Sequence, residues 1–328
     1  MEYRHTPVML REVIEYLDPG PNENFIDCTL GGGGYTFEIL KKIKPNGKIL
    51  AIDLDKLAHE HGKIKYNKNK NLILVNDNFK NLSKIIKDIW PKKEIPGFSG
   101  IVFDLGLSQA QLEDRKRGFS FKLDAPLDMA FGQQVLDNRP PFVKATEGKY
   151  QTTEYLVNKF KRDKLEKILR QYGEERYARN IVDKIIRERK IKTIKTTGEL
   201  VEIISKAVPP QYKNKKIHFA TRTFQALRIA TNNELYNLEE ALPQALDLLK
   251  KGGRVVVVSY HSLEDRIVKN YFKKESRDCV CPPLAPACVC GHKAGLKIIT
   301  KKIITPTSRE IDFNPKSRSA KMRVVEKI

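Results

Sequence analysis

The apolar run NFIDC carries Asp27 into four consecutive glycines, Gly31 to Gly34, and the next apolar run, KILAID, ends on Asp53. Glycine permits positive φ and lets a ligand lie close to the backbone where a strand turns into a helix. A carboxylate closing the following strand can accept hydrogen bonds from both hydroxyls of a ribose. Together these features describe a site for a nucleoside-containing cofactor. A dinucleotide would fit them too, but in G-x-G-x-x-G counted from Gly31 the third glycine falls at Thr36, and counting from Gly32 or Gly33 also fails. A methyl-transfer site would instead use the third strand end, Asn76-Asp77-Asn78-Phe79, to hold an adenine. The fourth, Phe103-Asp104-Leu105-Gly106, would face the reacting methyl, and both ends carry suitable residues.

Asp104 suits transfer to an exocyclic amine. Such a nitrogen becomes positive as it attacks, and an acceptor for its N–H protons stabilises that charge; the same residue can also hold the cofactor or cap the next turn. Methylation at a ring carbon of cytosine would need a cysteine nucleophile, and none follows this strand. His261, within HSLED, is a candidate on the substrate side, although Ser262 as helix N-cap with Asp265 three positions on accounts for part of that motif. Arg115, Lys116, Arg117, Phe119 and Phe121 interleave cations with aromatics, a composition able to hold phosphates and stack an unpaired base. Buried Phe with solvated Arg is the plainer account of them. His218, Arg222, Gln225 and Arg228 form a second polar stretch. Cys279-x-Cys281 and Cys288-x-Cys290, near His292, could enclose zinc, but zinc knuckles typically use wider spacings, so the expectation is reduced thiols and no metal.

The elements that must position these residues begin as alternating strands and helices. NFIDC, KILAID, NLILVN and GIVFDL each precede a helical segment, which describes βαβ units and a parallel sheet. From about Gln109 to Lys216 the signal is mostly helical, clearest where Tyr177, Ala178, Ile181, Val182, Ile185 and Ile186 recur at helical spacing. Strand character returns at GGRVVVVSY, LKIITKKIIT and AKMRVVEKI. The expected architecture is a discontinuous α/β domain, residues 1–108 with 218–328, interrupted by a helical insert at 109–217.

At 328 residues the chain is long enough for two domains. No apolar stretch approaches membrane-spanning length, and the first residues resemble no export or organelle signal. Five cysteines are too few and too clustered for a disulfide framework, so the expected compartment is the cytoplasm. The formal charge is 61 − 40 = +21, a field that attracts a polyanion, which makes nucleic acid the natural partner.

Across nearly its whole length the sequence resembles the 16S rRNA cytosine-N(4) methyltransferases of the RsmH (MraW) type. The matching blocks are HTPVML, DCTLGGGGYT, AIDLD, FDLGLSQAQL, RGFSF, APLDM, YGEERYARNI, HFATRTFQALRI, NNEL, SYHSLEDRIVK and NPKSRSAKMR. The resemblance implies a Rossmann-like class I methyltransferase sheet with an inserted all-helical domain for substrate recognition. It further implies S-adenosylmethionine as cofactor, held by Gly33, Gly34, Tyr35, Asp53, Phe79, Asp104 and Gln111. The implied substrate is 16S rRNA of the small ribosomal subunit, in the decoding region, with Arg115, Arg117, Phe119, Arg222 and Arg228 as candidate contacts and a homodimer compatible with the pattern. Two departures stand out: Gly33-Gly34-Tyr35-Thr36 replaces the usual Gly-Gly-His-Ser, and Ser108-Gln109-Ala110-Gln111 replaces Ser-Ser-Pro-Gln. Tyr35 supplies no imidazole. A non-catalytic RNA-binding assembly factor on the same fold is therefore the alternative, opposed by intact Asp53 and Asp104.

Overall fold

The computed structural model describes residues 7–91, 94–132, 152–282, 285 and 287–328. Two compact units make up the chain, one of Met1–Ser108 with Asn237–Ile328 and one of Gln109–Tyr236.

Seven strands form the sheet of the first unit: β1 (Phe25–Asp27), β2 (Ile49–Ile52), β3 (Leu72–Val75), β4 (Phe98–Asp104), β5 (Leu249–Ser259), β6 (Leu296–Ile298) and β7 (Lys321–Lys327). Their order is β3-β2-β1-β4-β5-β7-β6. β1 to β5 run parallel, while β7 is antiparallel to both β5 and β6. This is the Rossmann-like class I methyltransferase sheet the sequence leads one to expect. Its strand order reverses between β1 and β4, and ligands of such sheets bind beyond the strand ends at that switch point.

Burial on both faces explains why the central strands are continuous apolar runs rather than alternating ones. With a side-chain period of two, Ile26, Leu50, Ile52, Ile101, Phe103, Val255 and Val257 join one core with Leu82, Ile86, Leu242, Ala245 and Phe272. Phe25, Ile49, Val102, Val256 and Val258 join the other, with Val13, Leu17, Ile39 and Ile43. Packing at the sheet centre is tight enough that a Cβ on Gly100 would lie 2.7 Å from Phe25 Cε1 and 2.8 Å from Leu17 Cδ2. An alanine there would cost about 1–3 kcal/mol in overpacking.

The second unit is helical. It contains Thr153–Lys159, Arg162–Gly173, Ala178–Ile191, Thr197–Ala207 and Thr221–Asn232, with shorter turns at Gln109–Glu113 and Pro210–Lys213. Ala178, Ile181, Val182 and Ile185 form the buried stripe of their helix, as the periodicity predicts. The expected boundary at 217/218 needs correction, because residues 218–236 stand with the helical unit. Gly173 allows the cause: a Cβ there would lie 2.6 Å from Arg222 O and 3.1 Å from Ala226 Cβ, so Thr221–Asn232 packs directly on Arg162–Gly173. Asn232 then ties that helix to the preceding loop, accepting from Phe131 N at 2.9 Å and donating to Met129 O at 2.7 Å. No helix among the described residues is long and apolar enough to cross a membrane.

Candidate active site

The carboxyl ends of β1, β2 and β4 are joined by hydrogen bonds that sequence distance hides. At the end of β1, Asp27 accepts from Thr29 N at 3.1 Å and from Thr36 Oγ1 at 2.7 Å, fixing the glycine turn against the helix Gly34–Lys42. Thr29 Oγ1 in turn accepts from Asp104 N at 2.7 Å, linking the turn to the end of β4. Just beyond β2, Asp53 accepts from Gly31 N at 2.7 Å and Asp55 N at 2.8 Å. The two oxygens keep lone pairs in reserve, so a pair of ribose hydroxyls can still be accepted.

Glycine is required in this turn for two separate reasons. Gly31 and Gly33 have φ of +47° and +74°, values that side chains disfavour. At Gly33 and Gly34 protein fills the Cβ position, with Tyr66 Oη 2.7 Å and Pro7 Cγ 2.6 Å from where it would be. Beside Gly31 only Thr29 O lies within reach, at 3.8 Å. The open wall of the turn, where a ligand can approach backbone, is thus at Gly31.

Burial lifts the three carboxyls, Asp27 to about 6 and Asp53 and Asp104 to about 7, and the charge of Asp27 raises the other two further. Three acids that resist ionising together make these strand ends favourable to a positive charge. Against Asp104 stands Tyr260, whose hydroxyl donates to Oδ1 at 2.7 Å and partly offsets the upward shift. Tyr260 stays protonated, because burial and the neighbouring Asp104 charge hold its phenol well above the ordinary tyrosine range. Its ring lies over Gly106, where a Cβ would come within 2.5 Å of Cε2. Tyr260 and Thr29 are the residues that sequence reasoning missed. Tyr260 lies at the far end of β5, and no local spacing connects it to Asp104.

The other candidates are placed as follows. Tyr35 is buried at 3% exposure and donates to Val8 O, so its side chain belongs to the core beside Asp104. Phe79, in the short helical turn after β3, packs edge-on to Phe103 at 5.6 Å. His261, rather than Ser262, caps the helix Ser262–Glu275. The HSLED motif satisfies both registers, but Glu264 reaches back to Tyr260 N at 2.9 Å and His261 N at 3.3 Å, which decides it. His261 Nδ1 accepts from Glu264 N at 3.4 Å, and Nε2 lies 3.0 Å from Glu264 Oε1. Asp265 instead pairs with Arg323 at 2.7 Å.

Gln111, Arg115, Arg117, Phe119, Arg222 and Arg228 all belong to the helical unit. Gln111 is buried in Gln109–Glu113. Arg117 donates to Ala130 O and Phe131 O at 3.0 and 2.9 Å, over a Phe119 ring that is buried and stacked on Phe131. Arg222 donates to Glu174 O at 2.8 Å, and Arg228 forms a two-pronged pair with Glu234 at 2.8 Å on each prong. Arg115 is exposed. Phe121, His218 and Phe219 stack in sequence, with centroids 4.6 and 4.2 Å apart.

Residues 2–328 match the profile described as the MraW methylase family. Three curated relatives bear the name ribosomal RNA small subunit methyltransferase H. The one from Halothermothrix orenii is 44% identical over 324 residues, covering 99% of this chain and 98% of its own length. That from Dehalococcoides mccartyi (strain 195) is 47% identical, covering 100% and 87%. That from Clostridium botulinum (strain 657) is 43% identical over 328 residues, covering the whole of both chains. With matches of this extent, the chain belongs to the MraW methylase family.

Proposed function

We propose that the chain transfers a methyl group from S-adenosylmethionine to the exocyclic N(4) of a cytidine in 16S rRNA. The substrate in this reading is the decoding region of the small ribosomal subunit, and the compartment is the cytoplasm. The relatives' shared name supports the substrate class, and one observation carries the chemistry: a carboxylate at the end of β4, Asp104, held by Tyr260 Oη at 2.7 Å. The strand ends suit this cofactor, since the open backbone at Gly31 admits a nucleoside and the three carboxyls favour a positive charge. When bound, S-adenosylmethionine supplies an electrophilic methyl on a cationic sulfur.

The chain's own residues then position and polarise. Asp53 accepts the ribose hydroxyls, while Phe79, anchored on Phe103, offers an apolar wall for the base. Asp104, once ionised, accepts an N–H of the incoming amine and strengthens that bond as the nitrogen becomes positive. Much of the remaining acceleration comes from alignment of donor and acceptor. Residues 109–217, together with 218–236, supply the RNA-recognition surface, where exposed Arg115 is a phosphate contact. The deciding experiment incubates the purified protein with labelled S-adenosylmethionine and unmodified small subunits, then maps labelled nucleosides. Label in N(4)-methylcytidine at one position is expected. Label in a different nucleoside, or none, would overturn the reading.

A further inference from the structure

Between the helix Ser262–Glu275 and β6 runs a loop without a hydrophobic core of its own: Val280 and Val289 are 37% and 87% exposed. Four cysteines occupy it. We propose that Cys279, Cys281, Cys288 and Cys290 bind a single Zn2+ ion as thiolates, forming a structural site separate from the acidic strand ends.

The sequence expectation was unliganded thiols, on the ground that one residue between paired cysteines is narrower than the usual knuckle. Folding removes that objection, because each C-x-C pair supplies one edge of a common cluster. All four Sγ atoms lie within 4.8 Å of one another, with Cys288 to Cys290 at 3.7 Å and Cys279 to Cys290 at 3.8 Å. A tetrahedral ion with Zn–S bonds of about 2.3 Å requires sulfur–sulfur edges of about 3.8 Å. A disulfide would need sulfurs about 2.05 Å apart. An iron–sulfur cluster would hold its cysteines further apart, since several irons and sulfides lie between them.

Backbone N–H groups also converge on the sulfurs. Val280 N points to Cys290 Sγ at 3.5 Å, Cys281 N to Cys279 Sγ at 3.4 Å and Val289 N to Cys281 Sγ at 3.5 Å. Such donors stabilise thiolates, and the Val280–Cys290 and Val289–Cys281 bonds cross between the two pairs, fixing them face to face. His292 is no fifth candidate. Its Nδ1 lies 2.8 Å from Arg277 O and its Nε2 3.2 Å from Glu275 Oε2, so it ties the loop to the end of the preceding helix. Gly295 N closes the base of the loop on Glu275 O at 2.9 Å. Binding is a Lewis acid–base step: each thiol releases its proton to solvent, four Zn–S bonds form, and nothing is oxidised or reduced. The ion substitutes for the missing core and steadies the chain entering β6, which pairs with β7.

The test begins with the unaltered protein, purified under reducing conditions without chelator, desalted and analysed for metals by mass spectrometry. One zinc per chain is expected, together with uptake of Co2+ by the stripped protein to give the visible bands of a tetrahedral thiolate set. The Cys279→Ser/Cys290→Ser double variant should lose the metal, and Cys28→Ser, altering a cysteine in the sheet core, should keep it. Stripping zinc should speed amide exchange in residues 287–298 while β1 to β4 remain protected. The proposal fails if the unaltered protein neither carries stoichiometric zinc nor takes up Co2+. It also fails if iron occupies the site, if intact mass shows two disulfides, or if the double variant retains its zinc.

Discussion

Replacing Tyr260 with Phe isolates the step on which the proposed mechanism depends. The ring keeps its place over Gly106, and only the hydroxyl that donates to Asp104 Oδ1 at 2.7 Å disappears. A hydrogen bond to a charged group is worth about 1.5–3 kcal/mol. At about 1.4 kcal/mol per pKa unit, losing it lifts Asp104 by roughly one to two units above its present value of about 7. At pH 7 the ionised fraction then falls from roughly a half to between about a tenth and a hundredth, so the rate should drop about 5- to 50-fold. At pH 9 half or more of Asp104 is ionised again, and the variant should come within about twofold of the parent. The kcat/KM for cofactor, which reports ionisation in the free protein, measured from pH 6 to 9 reads this directly. A loss that is the same at every pH, or no loss at all, would refute Tyr260 as the residue that keeps Asp104 ionised.

Asp104→Asn removes the charge and one acceptor, so turnover should fall about a hundredfold or more above pH 7 and less below it, where the parent is itself mostly protonated, with a much smaller loss of cofactor affinity; a normal rate at saturation would exclude Asp104 from the chemistry. Because the strand-end carboxyls titrate near pH 6–7 and a cation favours their ionised forms, S-adenosylmethionine should bind more tightly as pH rises from about 6 to 8. Uncharged S-adenosylhomocysteine should gain much less, and calorimetry showing equal pH dependence for both would contradict the electrostatic account. Arg228→Ala leaves Glu234 unpaired with both side chains mostly buried, at 16% and 11% exposure, and should destabilise the protein by about 3–5 kcal/mol in chemical denaturation. Arg115→Ala, on an exposed side chain, should leave stability unchanged, weaken RNA binding and flatten its salt dependence; the reverse pattern would exchange the two roles.

Most of the sheet is legible in the sequence because buried parallel strands are written as short apolar runs ending in polar residues. The acids at their ends, Asp27, Asp53 and Asp104, can be found by the same rule. LKIITKKIIT was less informative: only Leu296–Ile298 forms β6, and the chain turns away around Lys301 and Lys302, which are exposed. The boundary near residue 218 was misplaced for a different reason. HFATRTFQALRI has an apolar stripe that would suit either unit, and nothing local reveals that Gly173 leaves room for Arg222 and Ala226. The contacts that join the strand ends are equally nonlocal, as Tyr260 to Asp104 and Gly31 to Asp53 show. The cysteine cluster was visible as a pair of C-x-C motifs, but its convergence depends on two crossing backbone N–H contacts that spacing does not encode.

The position of the helical unit between two neighbouring strands also bears on how the chain assembles. Ile101 of β4 pairs with Val255 of β5, and everything from Gln109 to Tyr236 intervenes. Closing so long a loop as free chain costs conformational entropy before any strand contact repays it, and parallel pairings of this reach slow folding. The helical unit relies on nearer contacts, such as those of Ala178–Ile191 with Thr197–Ala207. If it forms first, it turns much of the intervening chain into a compact body and shortens the effective loop. Refolding followed by pulsed amide exchange should then show protection at Ile181 and Ile185 before Val255 and Val256, making the helical insert the element that lets the central sheet close.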